Sequence, residues 1–281
     1  MPRTIGDRVQ FWRHADTGIE LLHARFGGHA YDRHAHDTYA IGVTLRGGQG
    51  FHHRGRRHVS TPGTVIAMNP EDAHDGSAET EDGFSYWMLY PSAELWTEIL
   101  GDAAGRRTHL PFFTATLIDD PCCREHLLNL CRTLVDPAAG SLESDCSLTQ
   151  TLTALARRHG RTPPPAPLER NDPAVQRVHG LLHHEYQREL RLEDLAREAG
   201  RSRFWVNRAF AAAYGLPPHT YLTRRRLESA RRMLAHGEPA AEVAAAVGFT
   251  DQSHLIRRFK ASYGITPGAF QAACTDVQST T

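Results

Sequence analysis

The last hundred residues of this 281-residue chain contain one sequence pattern twice, about 48 residues apart. Each copy has an aliphatic residue followed by alanine, a glycine four residues later, a phenylalanine, a Tyr-Gly pair, a proline and an aromatic residue. In chain order these positions are Leu195, Ala196, Gly200, Phe210, Tyr214, Gly215, Pro218 and Tyr221, and then Val243, Ala244, Gly248, Phe259, Tyr263, Gly264, Pro267 and Phe270. Matched apolar and glycine positions indicate one supersecondary unit that is used twice, and two copies are too few for a solenoid.

Each copy has the pattern of a helix-turn-helix. The glycine fits a tight turn between two helices, where a positive φ is needed, and the alanine lets the helices approach closely. The phenylalanine of the second helix fills the core between them. Two such units in tandem can place two recognition helices on one nucleic acid. The pattern therefore predicts double-stranded DNA as a partner.

The outward face of each second helix follows from counting back from its phenylalanine. The N-terminal half of this face would enter a major groove, where arginine pairs with guanine and asparagine or glutamine pairs with adenine. The predicted base contacts are Arg203, Phe204, Asn207 and Arg208 in the first copy and Gln252, Ser253, Ile256 and Arg257 in the second. The alternative is that these are solvated faces of ordinary helices.

An arginine-rich helix over Tyr221–Ala235 connects the two copies. Its fifteen residues span about 22 Å. A helix of this length would keep the two helix-turn-helix units at a separation close to the roughly 34 Å between successive major grooves. The positions assigned to phosphate contacts are Arg224, Arg225, Thr250 and Lys260. The alternative for the arginines is pairing with Glu228 along the helix.

A proline-rich stretch, 161–173, divides the chain, because its five prolines allow neither a helix nor an interior strand. We therefore predict an effector-binding and dimerisation domain over 1–160, a linker over 161–173 and a DNA-binding domain over 174–274. Residues 173–274 carry 15 basic and 9 acidic side chains, whereas residues 1–172 carry 17 and 22. Only the basic part suits contact with phosphate.

Helical spacing continues throughout the C-terminal domain. The predicted helices are 174–187, 192–199, 203–214, 219–235, 240–247, 252–263 and 267–273, with the helix-turn-helix units at about 192–214 and 240–263. Glycines at the ends of these helices fit left-handed backbone positions.

The N-terminal domain begins with β structure. Between residues 18 and 90, apolar residues alternate with small or polar ones, as in 39–45, which predicts short strands in a sandwich or barrel. Residues 92–101 and 121–159 change to helical spacing, and Asp120-Pro121 is a helix start. The predicted fold class is α+β multidomain, with a β-barrel, trailing helices and an all-α C-terminal domain.

The helical part of this domain carries an apolar stripe at Leu127, Leu130 and Leu134. It has two interpretations, the surface of a homodimer or packing against the barrel. The five cysteines are odd in number and have no CxxC spacing, which predicts reduced thiols in the cytoplasm. No membrane partner is expected, because no apolar run approaches the roughly 18 residues that span a bilayer and the N-terminus lacks a signal peptide.

The residues from Leu192 to Phe270 resemble the DNA-binding domain of the AraC/XylS-type transcriptional regulators. The stretches similar to the signature of that family are 248–255, 258–260 and 263–267. The resemblance implies two helix-turn-helix units that flank a long linker helix and enter neighbouring major grooves. It implies the base-facing positions given above except Arg203, and a contact between Phe204 and a thymine methyl group.

The N-terminal half resembles the cupin-type effector domain that many such regulators carry. The residues similar to the two cupin motifs are Gly28, His34, Ala35, His36, Gly47, Pro62, Gly63, Pro70 and His74. We expect a small-molecule effector pocket formed by His34, His36, His74 and Trp87. If the first two histidines point inward, strand parity places Ala40 and Thr44 inside. The apolar positions 39, 41, 43 and 45 then face outward and need a cover, from the helices at 121–159 or a second subunit.

The same three histidines are also candidate ligands of a metal ion. Metal-binding cupins use two histidines, a glutamate and a further histidine, and Ala40 stands where the glutamate is expected. Three neutral imidazoles still suit a divalent ion with open positions. The alternative is that the histidines orient a small ligand or satisfy a polar barrel interior.

The sequence therefore predicts a sequence-specific transcriptional regulator controlled by an effector, with RNA polymerase as a further partner, and not an enzyme. One alternative is a cupin metalloenzyme with an appended helical domain, which the missing carboxylate and the duplicated helix-turn-helix disfavour. Another is an adaptor that uses the helical units for protein contacts. The sequence has no P-loop, dinucleotide fingerprint or nucleophile elbow that indicates other chemistry.

Overall fold

The computed structural model describes residues 7–14, 17–27, 29–101, 109–161, 172–263 and 265–278. The chain forms two compact units, one of Met1–Asp136 with Ser147–Ala166 and the other of Pro137–Cys146 with Pro167–Thr281. Most of the predicted linker (162–171), the cupin-motif residue Gly28 and the predicted helix end Gly264 lie outside the described residues.

Two antiparallel sheets form the first unit. The strands are β1 (Arg8–Arg13), β2 (Glu20–Phe26), β3 (His29–His34), β4 (Ala40–Gly47), β5 (Gln49–His53), β6 (Arg56–Ser60), β7 (Val65–Met68), β8 (His74–Ala78), β9 (Phe84–Tyr90) and β10 (Leu117–Ile118). One sheet has the order β1-β2-β9-β4-β7-β10 and the other β3-β8-β5-β6. This arrangement of two antiparallel sheets confirms the predicted barrel or sandwich.

Side chains from both sheets pack in the interior between them. Its core cluster consists of Ala24, Ala40, Phe51, Ile66, Met68, Phe84, Tyr86 and Met88. Thr44 is buried with its hydroxyl oxygen 2.7 Å from that of Ser60, which lies on the other sheet. Ala40 and Thr44 therefore point inward, as the parity argument predicts.

Helices follow the strands as α1 (Ala93–Leu100), α2 (Pro121–Val135) and α3 (Ser141–His159). Helix α2 packs against β4, whose outward residues Ile41 and Val43 are buried, so this helix supplies the predicted cover. Leu127 and Leu130 are buried within the chain and Leu134 is half-buried. The structure thus favours intramolecular packing for this stripe over a dimer surface.

Asp120 fixes the start of α2 at the predicted position. Its Oδ1 accepts hydrogen bonds from the amides of Cys122 and Cys123 at 3.0 and 3.3 Å. Its Oδ2 accepts from Arg158 at 2.6 Å and from His159 at 2.8 Å. These partners, Arg158 above all, hold the pKa of Asp120 below its ordinary value. The carboxylate therefore ties the start of α2 to the end of α3.

Besides Pro137–Cys146, which includes the first six residues of α3, the second unit contains the remaining helices. They are α4 (Pro173–His184), α5 (Leu192–Ala199), α6 (Arg203–Tyr214), α7 (Pro218–Ala235), α8 (Ala240–Ala246), α9 (Gln252–Tyr263) and α10 (Pro267–Gln278). Helices α5, α6 and α9 have the predicted limits, and α10 extends five residues beyond its predicted end at residue 273. Gly200 and Gly248 have φ values of 63° and 85°, which confirms left-handed turns between the paired helices. Within the described residues, no helix is long and apolar enough to cross a membrane.

Candidate functional site

Helix α6 carries the four base contacts predicted for the first helix-turn-helix. Phe204 and Asn207 are each only 1% exposed. Arg203 is half-buried and pairs with Glu193 of α5 at 3.0 Å, and Arg208 is also half-buried. The predicted outward face is therefore largely covered in this structure.

The cover on α6 includes a segment that is distant in sequence. The Asn207 side-chain nitrogen donates a hydrogen bond to the carbonyl of Cys146 at 3.3 Å, and Cys146 ends the segment Pro137–Cys146 of this unit. The expectation of an outward Phe204 and Asn207 is thus wrong for this structure, although their contact with bases stays a prediction. The repeat pattern describes the two helices of a unit and contains no signal for a segment that packs onto them.

The face of α9 that is predicted to contact bases is largely exposed to solvent. Gln252, Ser253 and Arg257 are exposed, and Ile256 is half-buried. The carboxylate of Asp251 accepts a hydrogen bond from the His254 amide at 2.7 Å, which satisfies one of the free donors in the first turn of α9. This half of α9 therefore offers polar side chains on a fixed helix end, as major-groove reading requires.

The predicted phosphate contacts differ in exposure. Those that are exposed are Arg224, Thr250 and Lys260. Arg225 is half-buried, with its guanidinium carbon 4.5 Å from the ring centre of Tyr186. Its neighbour Arg226 donates to the carbonyls of Tyr186 and Arg188 at 2.7 Å each, and burial lowers the pKa of Arg226 to about 10. Arg226 therefore supports α7 structurally.

A cavity of about 460 Å³ lies between the two sheets of the first unit. The residues that line it are Val9, Leu22, Phe26, Tyr31, Arg33, His34, His36, Ala40, His74, Tyr86, Met88 and Tyr90. Three of the four residues predicted for the effector pocket are among them. The cavity has the mixture of apolar walls and a few converging polar groups that is typical of small-molecule sites.

The three histidines converge within this cavity. The Nε2 atoms of His34 and His36 are 3.2 Å apart, and one nitrogen from each of the three rings lies within 4.8 Å of the others. His74 Nδ1 donates to the carbonyl of Asp72 at 2.9 Å, which leaves its Nε2 as the acceptor. Burial lowers the pKa of His74 to about 4 and holds the pKa of His36 below its ordinary value, so both rings are neutral at pH 7.

Trp87 does not line the cavity, so its assignment to the pocket is wrong. It stacks on His23 with ring centres 4.3 Å apart, on the opposite face of β9 from Tyr86 and Tyr90. The alternation along β9 places residues 86, 88 and 90 on one face and residue 87 on the other, but it does not indicate which face lines the cavity. Sequence reasoning missed Tyr31, Tyr86 and Tyr90, and burial raises the pKa of all three phenols.

The histidine cluster also fits a divalent metal. Two nitrogen ligands of one ion at bond lengths of about 2.0–2.1 Å lie roughly 3.0–3.4 Å apart, close to the separation of His34 and His36. The hydrogen bond from His74 to Asp72 is the outer contact that orients a ligating imidazole. The donor set is nitrogen only, which favours ions such as Zn²⁺, Ni²⁺ or Co²⁺ over Mg²⁺ and Ca²⁺.

Comparison with known families places two domains on the chain. Residues 16–156 match the family described as AraC-like ligand binding domain, and residues 195–273 match the family described as helix-turn-helix domain. The first match covers strands β2 to β10, helices α1 and α2 and most of α3. The second begins within α5 and covers the rest of both helix-turn-helix units.

Individual relatives are similar to this chain over different shares of its length. An uncharacterized HTH-type transcriptional regulator of Bacillus subtilis, YbfI, is 26% identical over 85% of this chain and 87% of its own length. A putative AraC-like transcription regulator of Streptomyces lividans is 37% identical over 36% of this chain and 33% of its own length. The crystal structure of the DNA-binding domain of AdpA in complex with a target DNA is 31% identical, covers 37% of this chain and 93% of that one, and has a TM-score of 0.34.

Proposed function

This chain belongs to the AraC family of transcriptional regulators, and we propose that α6 and α9 are its base-reading helices and that the histidine-lined cavity is its effector pocket. The protein is a DNA-binding regulator with a ligand-binding domain and not an enzyme. The observation that carries the reading assignment is the exposed face of α9, where Gln252, Ser253 and Arg257 lie in the first half of a helix capped by Asp251. Such a face suits base edges in a major groove.

The test of base reading compares Arg257→Ala with Lys260→Ala in the full-length protein. On a 40-base-pair duplex selected by the protein from a random library, Arg257→Ala is expected to weaken binding about 10-fold to 100-fold and to relax preference at one base pair. Lys260→Ala, a predicted phosphate contact, should weaken binding equally on all duplexes. An equal loss on every sequence for Arg257→Ala would refute its reading role. The measurement is a fluorescence-anisotropy titration on the selected duplex and on its single-base variants.

The effector pocket is supported by the shape and chemistry of the cavity. Its apolar wall includes Phe26 and Met88, and its polar end is formed by His34, His36 and His74. We propose that a small molecule binds across both, and that a divalent ion held by the three histidines is a candidate part of the site. When bound, such an ion would supply open coordination positions for an oxygen or nitrogen of the effector.

Cobalt(II) is the probe for the metal. Full-length protein is expected to bind it with visible absorption bands, and His74→Ala should weaken this binding more than tenfold because one of three ligands is lost. His109→Ala, which removes an exposed imidazole outside the cavity, is the matched control and should leave the titration unchanged. Identical cobalt titrations for wild type and His74→Ala would exclude the cluster as a metal site.

We propose that the domains are 1–160, the linker 161–173 and the DNA-binding domain 174–274, although the segment Pro137–Cys146 lies in the helical unit. We also propose a cytoplasmic homodimer that contacts RNA polymerase at promoters. Cys122, Cys123, Cys131 and Cys146 are free thiols, which supports a reducing compartment.

A further inference from the structure

The two helix-turn-helix units differ in how far their predicted base-contacting residues are exposed. With Phe210 aligned on Phe259, Phe204 and Asn207 of α6 correspond to Ser253 and Ile256 of α9. The two α6 residues are 1% exposed, whereas Ser253 is exposed and Ile256 is half-buried. Equivalent positions of the same motif have equivalent orientations, so the difference comes from what lies on α6.

The segment Pro137–Cys146, here termed the cover segment, contacts both halves of the repeat. At its C-terminal end, the Cys146 carbonyl accepts the hydrogen bond from Asn207 of α6. In its middle, the Glu143 carboxylate pairs with the Arg258 guanidinium of α9. Residues 140–143 form one wall of a cavity of about 340 Å³, and its other walls include His219 and Leu222 of α7.

We propose that the cover segment is an autoinhibitory element that occupies the DNA-reading face of α6. This inference rests on the proposed function, since it assumes that Asn207 and Phe204 contact bases. The Asn207 amide that would contact adenine is bonded to a backbone carbonyl, and a base pair and the cover segment cannot occupy the same face. DNA binding by both helices therefore requires the segment to leave, which lowers affinity by the cost of its displacement.

The continuity of α3 links the cover segment to the unit that contains the effector cavity. The helix runs without interruption from Ser141 to His159, and its residues up to Cys146 belong to the helical unit while the rest belong to the unit that contains the effector cavity. A change in the position of this helix would carry the cover segment with it. The segment therefore regulates the reading site that the proposed function assigns.

Two alanine substitutions that remove side chains of opposite charge test the role of the cover segment. Glu143→Ala and Arg258→Ala each break the same ion pair in the full-length protein, so both are expected to raise affinity for the selected duplex about threefold to fivefold. A purely electrostatic effect on DNA would instead raise affinity for the first and lower it for the second. Glu125→Ala removes an exposed carboxylate from α2 and controls for net charge. The double variant should gain no more than either single variant.

Alkylation of Cys146 gives a second readout that does not depend on affinity. Its thiol is fully buried, and burial raises the pKa of that thiol. N-ethylmaleimide is expected to label Cys146 several-fold faster when the duplex is bound, because the cover segment has been displaced. Cys131, which is fully buried on α2, is the internal control and should stay protected.

The outcomes separate the two proposals. Tight DNA binding with Cys146 still protected, or a loss of affinity in Arg258→Ala, would overturn the cover while leaving the reading helices in place. Failure of the wild type and of both released variants to bind any duplex at low salt would overturn the assignment of DNA reading and the cover together.

Discussion

Gly248→Ala is expected to destabilise the protein by roughly 2–5 kcal/mol, considerably more than the equivalent change in the first repeat. The residue has a φ of 85°, and an added Cβ would lie 2.4 Å from the carbonyl oxygen of Gln187. The left-handed backbone alone costs an alanine about 1–2 kcal/mol. Forcing the methyl group against a backbone carbonyl adds about 1–3 kcal/mol, because the backbone near Gln187 has to move.

The repeat supplies the matched control for this prediction. Gly200 occupies the same turn of the first unit with a φ of 63°, and nothing lies within 4 Å of its added Cβ. Gly200→Ala should therefore cost only the conformational term of about 1–2 kcal/mol. Urea unfolding followed by circular dichroism at 222 nm gives both free energies of unfolding. Equal losses for the two variants would show that the contact with Gln187 carries no cost.

The affinity of the full-length protein for its selected duplex is expected to fall about 100-fold between about 50 and 200 mM salt. Binding of basic side chains to phosphates releases counterions, with a slope of about −0.9 in the logarithmic plot for each neutralised phosphate. Of the four predicted phosphate contacts, Arg224, Arg225 and Lys260 are cationic and each adds to the slope, whereas the hydroxyl of Thr250 adds nothing. The positive N-terminal ends of the helices add a further contribution to the slope. The prediction is a total slope between about −3 and −4.

The salt experiment has its own control among these residues. Lys260→Ala should reduce the slope by about 1, whereas Thr250→Ala should weaken binding without changing the slope, since threonine is uncharged. A flat salt response of the wild type would contradict contact with the phosphate backbone. It would favour the adaptor function, in which the helical units bind protein.

The limits of sequence reasoning are visible in particular residues. Helix limits such as 203–214 and the turn role of Gly248 were predictable, because helical spacing and positive φ are local properties of the chain. The inward parity of Ala40 was predictable for the same reason, since successive residues of a strand point to opposite faces. Trp87 was misplaced because the same alternation does not say which of the two faces encloses the cavity.

Sequence alone therefore determined the family of this protein and the duplicated helix-turn-helix, both of which follow from short-range spacing and recognisable motifs. The tertiary structure decided which residues meet across the chain. It brought His74 to the other two histidines, placed Tyr86 rather than Trp87 in the pocket, and set Cys146 against Asn207. These contacts depend on strand register and on the packing of distant segments, and the free energy of such packing is a property of the folded whole that no local pattern encodes.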